Sequence, residues 1–89
     1  MKNIESENEI IIRGIITPCE WNEDESVKSV SIASEDEQEY LVEYSDKNIE
    51  LLRYLRKMIC ATGKYREDKN GIKYIRVKKY WLITSPSMI

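Results

Sequence analysis

The sequence predicts a mainly β domain of five strands, with one helix between the third and fourth strands. Short β-branched and alternating apolar runs occur before residue 45 and after residue 59, and such runs are typical of strands. Between them the apolar spacing changes to the helical period of 3.6 residues. At 89 residues the chain is expected to form one small domain over residues 9–84, with a thin core. Polar tails are predicted at 1–8 and 85–89.

The five predicted strands cover residues 10–16, 27–33, 40–44, 59–66 and 72–83. Gly14 is expected to bend the first strand, because a glycine inside a strand usually marks a bend or a close backbone approach. Pro18 is expected to end regular pairing, because proline has no backbone N–H to donate. Asn70-Gly71 predicts a hairpin between the last two strands, closed by a type I′ turn with positive φ at both residues.

Alternation along the strands predicts which side chains face the core. The inward set is Val30, Ile32, Tyr40, Val42, Tyr44, Ile75 and Val77. A continuous pleat through the last strand would turn Lys79 inward. We therefore expect a β-bulge near Lys78-Lys79, with Tyr80 turned toward the core.

A single helix is predicted after the third strand. Ser45 or Asp46 is a suitable N-cap, since either side chain can accept a hydrogen bond from the first free N–H groups. The apolar stripe that follows consists of Ile49, Leu52, Leu55 and Ile59, widened by Leu51 and Met58. This stripe predicts a helix that packs one face against the sheet.

Charge divides the chain near residue 50. Residues 1–50 contain 14 acidic and four basic residues, and residues 51–89 contain two acidic and ten basic residues. The two parts therefore carry net charges of −10 and +8, which combine to the overall −2. Such a division indicates either a basic binding surface or two regions that neutralise each other in the fold.

Several classes of function are disfavoured by composition. The chain has no histidine, which removes the commonest general base and metal ligand. Cys19 and Cys60 are predicted to be free thiols, and the acidic runs at 23–25 and 35–37 to be solvated turns. The start of the chain does not resemble a signal peptide, and no apolar run approaches the ~20 residues of a membrane span. We expect a cytoplasmic, non-catalytic protein with no cofactor, no bound metal and no membrane partner.

The order strand–strand–strand–helix–strand–strand resembles the OB-fold, a five-stranded Greek-key barrel with a helix between its third and fourth strands. Gly14 lies where this fold bends its first strand, and the segment 61–80 is similar to its closing hairpin. The resemblance implies a binding face on strands two and three and the flanking loops. Here those segments cover residues 20–26, 27–44 and 66–71. They are mainly acidic, which disfavours binding of a polyanion at that face.

Candidate binding residues come from the basic second part of the chain and from one tryptophan. They are Trp21, Tyr65, Arg66, Lys69, Tyr74, Arg76 and Lys78. Aromatic rings interleaved with cations are typical of single-stranded nucleic-acid binding. Alternatively, Lys73, Arg76 and Lys78 could pair across the sheet with Glu37, Glu39 and Glu43.

Two functions therefore compete. The first is a non-catalytic binding module that contacts a protein partner or forms a homo-oligomer. Trp21 favours it, because tryptophan is enriched at interfaces; the competing interpretation places Trp21 as a lid over one end of the barrel. The second is single-stranded nucleic-acid binding through the basic helix and the last hairpin.

Overall fold

The computed structural model describes residues 9–43 and 45–83. Five strands and one short helix follow each other in the predicted order: β1 (Glu9–Trp21), β2 (Val27–Ser34), β3 (Glu39–Val42), α1 (Asp46–Leu51), β4 (Met58–Glu67) and β5 (Lys73–Leu82). The predicted tails at 1–8 and 85–89, residue 84 and the inward position of Tyr44 lie outside the described residues. None of the described helices is long and apolar enough to cross a membrane.

The strands close into a barrel with the order β1-β2-β3-β5-β4. Closure depends on β1, whose first half pairs with β4 and whose second half pairs with β2, both antiparallel. Gly14 and Ile15 belong to both pairings, so β1 passes from one neighbour to the other at the predicted bend. β3 pairs with β5 in parallel. The mainly β fold class and the five-stranded barrel are thus confirmed.

The core fills the barrel with the predicted alternation. Ile16, Ile32, Leu51, Ile59 and Ile75 are fully buried. Of the inward set, all the described members are buried: Val30, Ile32, Tyr40, Val42, Ile75 and Val77. Burial of apolar surface is the main favourable contribution to folding, so these strand faces account for most of the stability of the barrel.

The predicted β-bulge in β5 is confirmed. Thr62 pairs with Lys79 while Gly63 pairs with Val77, which leaves Lys78 as the extra residue. The bulge turns Tyr80 inward, where its ring packs partly buried against the core. Its hydroxyl donates a hydrogen bond of 2.8 Å to a Glu50 carboxylate oxygen. Burial and this hydrogen bond raise the pKa of Tyr80 to about 12.

The helix is much shorter than the apolar stripe predicts. α1 ends at Leu51, a 3-10 turn covers Leu52–Tyr54, and Arg56 adopts a positive φ of 71°. Backbone hydrogen bonds then join Arg56 N to Ile16 O and Ile16 N to Lys57 O. These bonds to β1 replace the hydrogen bonds that would have continued the helix. Ile49, predicted to face the sheet, is exposed.

Regular pairing between β1 and β2 ends at Pro18, as predicted, although the strand itself continues. Pro18 still pairs with Val30, and β1 continues to Trp21 through two register shifts. The first shift leaves Cys19 without an opposite residue on β2. An irregular pairing accommodates the missing N–H of the proline without ending the strand, as β-bulges commonly do.

The β4–β5 hairpin is present, but its turn is not type I′. Gly71 has a φ of +84°, whereas Asn70 is not among the positive-φ residues. Gly71 N donates to Asp68 O, and Asp68 Oδ1 accepts hydrogen bonds from the N–H groups of Asn70 and Ile72. These backbone donors lower the pKa of Asp68. The Asp68 side chain therefore organises the turn and removes the need for positive φ at Asn70.

Candidate functional site

The structure gathers three of the seven predicted binding residues. Arg66, Tyr74 and Arg76 lie on the outer surface of β4 and β5 beside the end of β3. The Arg66 guanidinium lies 4.1 Å from the centre of the Tyr74 ring. Such stacking holds both side chains in one orientation.

A single carboxylate, that of Glu43, contacts both arginines of this group and offsets one of their two positive charges. Arg66 Nε lies 2.5 Å from Glu43 Oε2, and Arg76 Nε lies 3.7 Å from Glu43 Oε1. The predicted cross-sheet pairing is therefore correct for Arg76 and Glu43. The two lysines of the predicted set have different partners from those expected, since Lys73 pairs with Glu67 and Lys78 with Glu9. Four of the six cations of β4 and β5 thus form ion pairs with acids of the same barrel.

The remaining predicted residues do not join this group. Tyr65 packs partly buried against Tyr40, with an edge-on ring contact at 6.0 Å, and donates a hydrogen bond to Glu67. Lys69 is exposed in the β4–β5 turn, and Lys78 lies on the β5 bulge. Trp21 ends β1 with 57% of its surface exposed, so it does not serve as the lid of the barrel.

A groove of about 580 Å³ opens beside Arg66 and Tyr74. It follows the segment where β2 and β3 separate, because their pairing ends at Ser31 and Leu41. Asn48 lies at its base, where the side-chain amide donates to Val42 O at 3.3 Å. This groove occupies the region that the OB-fold resemblance predicts as a binding face.

A second surface, not predicted from the sequence, lies on the outer side of β1, β4 and β5. Ile11 is 71% exposed, Ile15 is 40% exposed and Trp81 is 50% exposed. The register places Arg13 and Trp81 on either side of Cys60, in the middle row of this surface. A hollow of about 700 Å³ lies between Ile11, Lys79 and Trp81. We call this surface the apolar outer face, and define it by Ile11, Arg13, Ile15, Cys60, Lys79 and Trp81.

Charged pairs border the apolar outer face. Arg13 lies 3.8 Å from Glu35 with both side chains about half exposed. Lys78 forms an ion pair with Glu9 at the other edge, and this contact lowers the pKa of Glu9. An apolar centre with a charged, solvated border is the arrangement found at protein–protein interfaces.

One signal in the sequence could have revealed this face. The segment Ile10-Ile11-Ile12 and the pair Ile15-Ile16 place apolar residues on both sides of one strand. Apolar residues on both sides of a strand are typical of strands that are buried on both sides. In the structure only the inner side of β1 is covered within the described residues, which leaves the outer isoleucines for a partner.

The other candidates from the sequence have structural explanations. Asp24 accepts hydrogen bonds from the hydroxyl and the N–H of Ser26, and Asp36 accepts one from the Ser34 hydroxyl. These bonds lower the pKa of both aspartates and hold the two acidic turns. Cys19 and Cys60 are free thiols, as predicted. The described residues contain no group of three or more potential metal ligands.

Comparison with known proteins gives no relative. No protein-family model, curated protein or solved structure matches the chain significantly.

Proposed function

We propose that this chain is a non-catalytic OB-like binding module that contacts another protein through the apolar outer face. The observation that carries the proposal is the exposure of Ile11, Ile15 and Trp81 on neighbouring strands around one hollow. Exposed apolar side chains that form one cluster, rather than being scattered singly, are typical of interaction sites in soluble proteins. The strand order and the single helix before β4 support the OB-like description.

The face also has the composition of a contact region. Its apolar positions are large, and its Trp81 and Arg13 belong to the residue types that contribute most binding energy at interfaces. The apolar residues of this face are not part of the barrel core, which is filled by side chains from the opposite side of each strand. A non-catalytic role is proposed because the chain has no histidine to activate its serines, threonines or cysteines.

Photo-crosslinking tests this proposal directly. A photoreactive benzophenone amino acid replaces Lys79, which lines the hollow together with Ile11 and Trp81. We expect covalent protein adducts after irradiation in the producing cell, and we expect them to disappear when Ile11→Glu and Trp81→Glu are added. The same photoreactive residue at Lys69, an exposed lysine of the β4–β5 turn that lies outside the apolar outer face, is the matched control. Equal adduct yields at both positions, or none at position 79, would contradict the proposal.

A second candidate, single-stranded nucleic-acid binding, is favoured by one specific observation. The Arg66–Tyr74 stack presents an aromatic–cation pair beside the groove, and such pairs can accept nucleic-acid bases. Glu43 opposes this function because its carboxylate occupies both Arg66 and Arg76. The candidate therefore predicts that removing this one charge strengthens binding.

We expect Glu43→Gln to raise the affinity for a fluorescent single-stranded oligonucleotide by about two- to fivefold, the scale of an exposed ion pair. Binding should be measurable at low salt and should weaken steeply toward physiological salt, because cations on phosphates release counterions. Fluorescence anisotropy over a salt series measures both effects, and Arg76→Glu and Lys78→Glu should reduce the affinity. Absence of binding by wild type and Glu43→Gln at low salt would exclude this candidate.

A further inference from the structure

We infer that the partner of the apolar outer face is a second copy of this chain, in a two-fold dimer that places Arg13 of each copy over Trp81 of the other. This inference rests on the proposed function, which requires the same face to bind a protein.

β4 lies in the middle of the face, with β1 on one side and β5 on the other. When two copies of a sheet meet face to face, a two-fold axis that runs along β4 brings β1 of one copy opposite β5 of the other. Residues in the same row then oppose each other, and each contact occurs twice because the interface is isologous. The face is self-complementary only if its β1 positions suit its β5 positions.

The middle row meets this condition. Arg13 and Trp81 share the row with Cys60, one on each side of β4. The two-fold axis therefore places the Arg13 guanidinium against the indole of the other copy, which is the best aromatic partner for a cation. Within one copy the two side chains do not make this contact, because the Arg13 guanidinium lies 3.8 Å from Glu35 on the other side of β1.

The outer rows are compatible as well. Ile11 opposes Lys79, whose aliphatic stem can cover an apolar neighbour while its ammonium stays in water. Ile15 shares a row with Met58. Because Ile83 N donates a hydrogen bond to the Met58 carbonyl, Ile83 continues this row beyond β5. The two-fold axis therefore places Ile15 of one copy opposite Ile83 of the other. An axis perpendicular to the strands would instead place Arg13 against Arg13, which is unfavourable because the charges repel.

The area of the apolar outer face limits the affinity to expect for the dimer. Three strands about 4.8 Å apart, each contributing about five residues, cover roughly 300 Å² per copy once side chains are counted. Stable complexes bury about 800 Å² per partner, and smaller contacts are weak or transient. The dimer is therefore expected to dissociate in the micromolar range, and its population should depend on protein concentration.

Sedimentation velocity of the full chain from about 5 to about 500 µM tests the inference in the range where small interfaces dissociate. We expect wild type to shift from monomer to dimer across this range. Trp81→Ala should weaken the dimer by about tenfold, so that a dimer is still detectable at the upper end of this range. Trp21→Ala removes an equally exposed tryptophan outside the face and should leave the dimer unchanged. A wild-type protein that stays monomeric at the highest concentration overturns the inference.

A double-mutant cycle tests the pairing itself. Arg13→Ala should weaken the wild-type dimer by about tenfold but the Trp81→Ala dimer by much less, because coupled residues are not additive. Glu35→Ala breaks the Arg13–Glu35 ion pair without removing the guanidinium, and it should preserve dimerisation. Independent effects of the two alanine substitutions would contradict the arrangement around Arg13.

The experiments distinguish failure of the homodimer from failure of protein binding by the apolar outer face. A monomer in sedimentation, together with adducts between position 79 and a different protein, would overturn the homodimer and retain protein binding as the function. Adducts with the mass of two chains, together with the concentration-dependent dimer, would support both. A monomer without any adduct at position 79 would overturn both.

Discussion

Gly63→Ala is expected to destabilise the protein by about 3 kcal/mol or more, a large part of the roughly 5–15 kcal/mol that holds a small domain folded. A Cβ atom at this position would lie 2.1 Å from the carbonyl oxygen of Arg76 and 2.8 Å from its carbonyl carbon. Both atoms belong to the β5 backbone beside the bulge at Lys78. The clash cannot be relieved by rotating a side chain, so β4 and β5 would have to separate.

Urea denaturation followed by far-UV circular dichroism measures this loss. Gly71→Ala is the matched control, because Gly71 has open space around its Cα and only its positive φ opposes a side chain. Its cost should be about 1–2 kcal/mol, the usual penalty for an L-residue in the left-handed region. A loss of unfolding free energy below about 1 kcal/mol in Gly63→Ala would contradict the close approach of β4 and β5 at the bulge.

Two isoleucines on opposite sides of the barrel wall should respond very differently to truncation. Ile75 is fully buried, and Ile75→Ala should cost about 2–5 kcal/mol because it leaves a cavity in the core. Ile11 is 71% exposed, and Ile11→Ala should change the stability of the monomer by less than about 0.5 kcal/mol. Both variants replace an isoleucine of a β-strand by alanine, so the expected difference in unfolding free energy comes from the burial of Ile75.

Thermal and urea unfolding at a protein concentration below the dimer range measures both values, because association adds to apparent stability. A small effect of Ile11→Ala on folding, combined with loss of dimerisation, would assign this side chain to binding. A loss of several kcal/mol from Ile11→Ala in the monomer would mean that the outer side chain is covered within the domain. The apolar outer face would then be part of the fold.

The features that were predictable from the sequence are those encoded over a few neighbouring residues. Alternation identified Val30, Val42, Ile75 and Val77 as inward, and the conflict at Lys79 located the bulge. These signals are local, because successive side chains on a strand point to opposite faces. The helix shows the limit of such signals, since the stripe continued past Leu52 while backbone hydrogen bonds from β1 ended the helix.

The candidate site was less predictable than the fold. Arg66, Tyr74 and Arg76 are three of the seven predicted candidates and lie together, but the contacts of the two arginines with Glu43 join positions more than 20 residues apart in the chain. The exposure of Ile11, Ile15 and Trp81 was missed, because a strand that is apolar on both sides does not say which side lacks a cover. That information exists only once the strands are placed around the core.

By itself, the amino-acid sequence determined the strands, their order, the inward residues and the single helix of this barrel. The tertiary structure alone decided where the helix stops, which cations meet Glu43 and which apolar side chains remain in solvent. The physical reason is the same in each case. Periodicity acts between neighbouring residues, whereas capping by a distant strand, ion pairing and exposure depend on groups that the closed barrel brings together from far along the chain.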